Sequence, residues 1–155
     1  MMNGYVYDDG GREAAGFKGK AGDCVVRAIA IATEKPYKEV YDELSVLVKA
    51  MKITKETPKK RVSARNGVYR KVFQKYLNEF GWKWKPTMFV GQGCTVHLSA
   101  DELPKGRLIV RLSSHLTAMI DGVIHDTYDP RRKKDNVESR CVYGYFYKPT
   151  RPMSR

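Results

Sequence analysis

The chain has 155 residues, 42% hydrophobic and 30% charged, with 29 lysines and arginines against 17 acids and a net charge of +12. That length suits about one domain, here the whole of 1–155, and the apolar share excludes a disordered tail or a fibrous repeat. No apolar run reaches the ~18 residues of a membrane span, and the opening MMNGYVYDDGGREAAG is no secretory signal, so a cytoplasmic protein without membrane contact is expected.

Residues 1–17 are Gly-rich and aperiodic and read as an extended arm that packs through Tyr5 and Tyr7. A first helix opens at Asp23, a preferred N-cap residue, after Gly22. Its continuation CVVRAIAIAT is apolar nearly all round, the mark of a buried helix. Arg27 is the polar exception, four residues from Asp23 and within pairing reach. A second helix starts at Pro36 and places Tyr37, Val40, Tyr41, Leu44, Leu47, Val48 and Met51 on one stripe. Residues 52–65 form a basic, Pro-interrupted loop, and a third helix spans about 66–80 before Gly81.

From Trp82 the period changes. KWKPTMF is extended, GQGCTVHL leads from a loop into a short strand, and SADELPKG makes a turn with Ser99 and Glu102 in capping-box spacing. RLIVRL, HLTAMI and VIHDTY are strands, the last two joined through Asp121-Gly122, a two-residue type I′ hairpin signal. RRKKDNVES is a basic loop and CVYGYFY a final aromatic strand. Helices first and antiparallel strands after give an α+β order.

Three residues carry chemistry. Cys24 stands at a helix N-terminus, where the helix dipole and unpaired backbone N–H groups favour thiolate; the alternative is a small buried hydrophobe. Asp23 beside it opposes thiolate formation. His115 opens a strand, where an imidazole can reach both a nucleophile and solvent; a plain strand-end polar residue is the rival reading. With Asp121-Gly122 as the turn, Ile120 pairs with Val123 and Thr117 faces Asp126. His115 and Asp126 are then diagonal neighbours on one face, while Asp129 points to the other. A carboxylate so placed can fix the imidazole tautomer.

GDCVVRAIAIAT (Gly22 to Thr33) and SHLTAMIDGVIHDTYDP (Ser114 to Pro130) resemble the papain-like cysteine peptidase superfamily, especially compact bacterial members such as the bacteriocin-processing peptidases. DELPKGRLIVRLSSH with RCVYGYFY is similar to small uncharacterised proteins of bacteriophages and mobile elements. The resemblance implies N-terminal helices packed on a C-terminal antiparallel sheet. It implies a thiol hydrolase or acyl transferase acting on a peptide or isopeptide-like bond of a peptide or protein substrate. Cys24 would be nucleophile, His115 base and Asp126 the orienting acid. The family's usual oxyanion glutamine before the nucleophile is missing from GFKGKAGD; Lys18, Lys20 or Gln92 would have to substitute.

Three cysteines, odd in number and without a CxxC pair, argue against a disulfide framework and structural zinc. Cys94 and His97 on an alternating strand would point apart, Cys141 reads as core and His125 as structural, so no metal and no cofactor are expected. The positive field favours nucleic acid or an acidic protein surface. Lys59, Lys60 and Arg61, with Arg131, Arg132, Lys133 and Lys134, are the basic runs that would make phosphate contacts. A catalytically idle binding module that uses those runs is the rival to an enzyme.

Overall fold

The computed structural model describes residues 4–19, 21–51 and 63–150. It holds three helices and a mixed six-stranded sheet, an α+β arrangement. The elements are β1 (Tyr5–Tyr7), α1 (Cys24–Thr33), α2 (Tyr37–Ala50), α3 (Arg70–Glu79), β2 (Lys83–Pro86), β3 (Arg107–Leu112), β4 (His115–Ile120), β5 (Val123–Asp126), β6 (Lys133–Lys134), β7 (Val137–Glu138) and β8 (Gly144–Tyr147). The large sheet runs β1-β5-β4-β3-β8-β2, and β6-β7 form a separate ribbon. No helix among the described residues is long and apolar enough to cross a membrane.

Both faces of the sheet are covered. α1 threads the core on one face, with Val25 through Ala32 all buried, and packs with Ile109, Leu116, Ala118 and Phe146. Leu108, Val110, Met119 and Ile124, the intervening residues of the same strands, form a second core with Leu98, Leu103 and Val142. This two-residue alternation is the strand period at work. The register in β4–β5 is Ile120↔Val123, Met119↔Ile124 and Ala118↔His125. Asp121 and Gly122 both take positive φ, 49° and 82°, as a type I′ turn requires.

The sequence reading differs from the structure at several points. The sheet is neither wholly antiparallel nor wholly C-terminal. Tyr5–Tyr7, read as an arm, is a strand parallel to β5, in register Tyr5↔Ile124 and Tyr7↔Asp126. Such a pairing joins residues far apart in sequence, and no local pattern announces it. The third helix starts at Arg70 because residues 63–67 close a tight turn of their own. There Ser63 and Gly67 bridge, and the Asn66 N–H donates to Ser63 Oγ at 3.0 Å. The segment before Leu98 is no strand, only isolated bridges. Within the basic loop 131–139 lies the β6–β7 hairpin. Most of the 52–65 loop, including Lys59, Lys60 and Arg61, lies outside the described residues, as does Lys20.

A disulfide joins Cys94 to Cys141, against the expectation, and Cys141 is half-buried instead of core. An odd count rules out pairing all three thiols, not pairing two, and Cys24 is the one left free. The bridge spans 47 residues of sequence and ties the 94–98 segment to the approach of β8. Loop-closure entropy for that span gives an expected loss of about 2–4 kcal/mol in Cys141→Ser, read from urea unfolding midpoints without reductant. Identical wild-type midpoints with and without dithiothreitol would contradict the bridge.

Candidate functional site

Cys24 is the first residue of α1 and His115 the first of β4. His115 follows the tight Ser113-Ser114 turn, where Ser114 adopts φ 56°, and this brings the strand start back beside the helix tip. The Cys24 thiol interacts with the His115 ring, and the Leu116 backbone N–H also favours its ionised form. His115 Nε2 lies 2.7 Å from Asp126 Oδ2, which leaves Nδ1 for the sulfur. Asp126 further accepts from Thr117 Oγ1 at 2.6 Å and from the Thr127 N–H at 2.7 Å. The structure therefore brings Cys24, His115 and Asp126 together, with the ring hydrogen-bonded to Asp126 and interacting with the thiol. Asp129 instead chelates Arg131 at 2.7 Å.

Asp126 is 3% exposed, and Asp23 is 1% exposed. The two buried carboxylates share Arg27: its Nη1 pairs with Asp23 Oδ1, and its Nη2 lies 3.7 Å from Asp126 Oδ1. Asp23 also accepts from the Tyr37 hydroxyl and pairs with Arg12 Nε at 3.3 Å. Asp23 does stand at the N-cap position, as the sequence indicates, but its side chain makes no capping bond; two guanidiniums and a phenol hold the carboxylate instead. Its opposition to a thiolate at Cys24 is met by those cations. β1 seals the cluster, since Asp8 N–H and Tyr5 OH both donate to the Asp126 carbonyl, at 2.9 and 3.1 Å.

These contacts set the protonation states. Burial alone pushes the Cys24 thiol up, but the hydrogen bond and charge of His115, the Leu116 N–H and the charge of Arg27 outweigh it and bring the pKa below the usual thiol value. Burial pushes His115 down; Asp126 and the thiolate more than reverse this, and its pKa rises to about 9. Burial pushes Asp126 up, and His115, Thr117 and Thr127 bring it below the usual carboxylate value. Both shifts favour the thiolate–imidazolium form of the pair.

Cys24 and His115 border an open cleft of about 550 Å³ that Asn66, Tyr69, Arg70, Arg111 and Tyr128 also line, while Asp126 lies buried behind the imidazole. Tyr128 lies over the His115 ring, with centroids 5.1 Å apart. Neither Lys18 nor Gln92 lines this cleft. Lys18 borders a different hollow next to Arg12 and Asp23, and Gln92 stands exposed in the Phe89–Gly93 loop. Asn66 is the amide residue that does border it, and Gly22 lets its backbone approach: a Cβ on Gly22 would stand 3.2 Å from the Asn66 backbone carbonyl. Sequence reading missed Asn66 by placing it inside a helix.

Of the remaining residues, Arg131 is engaged by Asp129 and Glu138, while Arg132, Lys133 and Lys134 are exposed on or beside the β6–β7 ribbon. His125 meets Asp8 at 3.3 Å across the β1–β5 pair. Cys94, His97 and Cys141 do converge, with ligand atoms within 4.8 Å, because residues 94–97 are not an alternating strand. The two sulfurs of that group are bonded to one another, and His97 is held by Glu102 at 3.3 Å. No family model matches the chain, and no curated protein or solved structure does either.

A group whose pKa is depressed on folding contributes stability above its unfolded value and loses it as pH falls through the folded one; a raised group does the reverse. Cys24 is the depressed member and His115 the raised one, so thiolate forms below the ordinary thiol value of 9.0 while the imidazole keeps its proton up to about 9. Alkylation of Cys24 by iodoacetamide is therefore expected to rise with pH at values below the ordinary thiol value of 9.0. In His115→Ala the rise shifts to alkaline pH, the behaviour of a buried thiol without its partner. A wild-type profile that starts to rise only near 9.0 would contradict the ion pair.

Proposed function

We propose that the protein is a papain-like cysteine hydrolase or acyl transferase acting on a peptide or isopeptide-like bond. The observation that carries this reading is Cys24 and His115 on the wall of an open cleft with Asp126 buried behind the ring, the thiol pKa lowered by the imidazole. In the first half-reaction the Cys24 thiolate attacks the carbonyl carbon. His115 then passes its proton to the departing amine, the C–N bond breaks, and a thioester remains. In the second, neutral His115 takes a proton from water or from an acceptor nucleophile, which attacks the thioester and restores the thiolate. Asp126 holds the ring and stabilises its charged form throughout.

The oxyanion falls to the Cys24 backbone N–H at the helix tip, where N–H groups have no intrahelical acceptor, and to the Asn66 carboxamide. Asn66 takes the part that Gln has in the family the sequence resembles, from another place in the chain.

The second reading, an idle binding module, draws support from the exposed cations Arg132, Lys133 and Lys134. Steep loss of oligonucleotide binding with salt, removed by glutamines at those three positions, would favour it.

Incubation with a mixed peptide and isopeptide library, read by mass spectrometry, tests the enzymatic reading. Wild type is expected to cleave or transpeptidate members, Cys24→Ala none, and Asn66→Ala with kcat lowered about 10²-fold at little-changed KM. Wild type and Cys24→Ala giving the same product pattern would refute it.

A further inference from the structure

The wall of the cleft that faces Cys24 carries two cations the proposed chemistry does not use. Arg70 opens α3 and Arg111 lies in β3, and both line the cleft together with Cys24 and His115. Both also line the two adjoining hollows, so the pair stands where three depressions meet. Aromatic faces hold the two guanidiniums: Arg70 lies 4.7 Å above the Trp84 ring, and Arg111 lies 5.2 Å from that of Tyr143. Trp84 is itself fixed against Gly144, where a Cβ would come within 2.4 Å of the indole. Stacking of this kind pre-organises a planar fork and leaves its edge N–H groups directed outward.

Neither guanidinium makes a side-chain hydrogen bond or an ion pair among the described residues. Two like charges are thus held together beside a reactive thiol with no carboxylate between them. The arrangement is costly: burial and the nearby charge of Arg70 both lower the pKa of Arg111. An anion bridging the two forks would offset that cost and use the idle donors.

We propose that Arg70 and Arg111 form a carboxylate-binding subsite, so that the chain entering this cleft carries an acidic side chain close to the bond attacked. The subsite rests on the two guanidiniums alone; its role in choosing a substrate rests on the catalytic reading of Cys24. A peptide carboxylate suits the place better than a nucleic acid phosphate. Trp84 is half-buried, lies beneath Arg70 and packs against Gly144 and Phe146, so it offers bases little stacking surface. Beyond the pair, the adjoining hollow presents exposed Phe89 and Val90, apolar footing for a neighbouring peptide side chain.

Direct binding to the Cys24→Ala protein tests this without any turnover. Short peptides that carry an uncharged fluorophore and differ only in Glu, Gln or Lys at one position are titrated by anisotropy. The Glu peptide is expected to bind about tenfold more tightly than the Gln peptide, the scale of one charge-assisted fork. That preference is expected to vanish in Arg70→Gln and Arg111→Gln, to be reduced in Arg111→Lys, and to survive in Arg132→Gln. Thermal unfolding of each variant checks that it folds. Equal affinity for Glu and Gln peptides, or a preference that outlives both glutamine substitutions, overturns the proposal. So does a single-stranded oligonucleotide that needs both arginines while the Glu peptide fails to bind. Cleavage without a Glu preference sinks only the subsite, and a Glu preference without cleavage sinks only the catalytic reading.

Discussion

Two carboxylates buried in one small domain would oppose folding unless each met a cation, and Arg27 serves both. It lies four residues past Asp23 on α1 and reaches across to Asp126 on β5, locking the helix to the sheet at one rotation. That rotation sets Cys24, at the helix tip, against His115, at the strand start. With the thiol ionised and the imidazole protonated, the cluster holds three anions, Asp23, Cys24 and Asp126, against three cations, Arg12, Arg27 and His115. A charge-balanced buried network is tolerated where a lone buried ion is not. Loss of any one member leaves an uncompensated charge, so structure and reactivity here are hard to separate.

The arrangement explains why β1 matters. Without it β5 would be the edge of the sheet, and the Asp126 backbone would face water. Tyr5 OH and the Asp8 N–H close that edge on the Asp126 carbonyl. A stretch with little local signal thus keeps dry the carboxylate that supports His115. Burial strengthens every pairing in the cluster, and it is the same burial that would raise the thiol pKa if His115 were gone.

What could be read from the sequence was short in range. The all-apolar run after Cys24 marks a core helix, and the Asp121-Gly122 turn sets a register that selects Asp126 over Asp129 by geometry. What could not be read depends on contacts between distant segments. The parallel β1–β5 pair, the Cys94–Cys141 bridge and the contacts of Asp23 with Arg12 and Tyr37 arise only once the chain has closed. Asn66 and Arg70 were hidden by a helix that periodicity extends four residues too far, since the Ser63–Gly67 turn carries no apolar pattern. Arg111 carries no signal of its own within the RLIVRL strand, and only the neighbouring Arg70 and Tyr143 give it meaning.

The state of the His115 ring tests this account most directly. Heteronuclear NMR of its two ring nitrogens at mildly alkaline pH, below its raised pKa of about 9, reports whether each carries a proton. The account predicts an imidazolium protonated at both nitrogens in the wild type, and a shift toward the neutral ring in Cys24→Ala, where the thiolate is gone. A neutral ring in the wild type, titrating near its ordinary value of 6.5 and indifferent to the substitution, would contradict it.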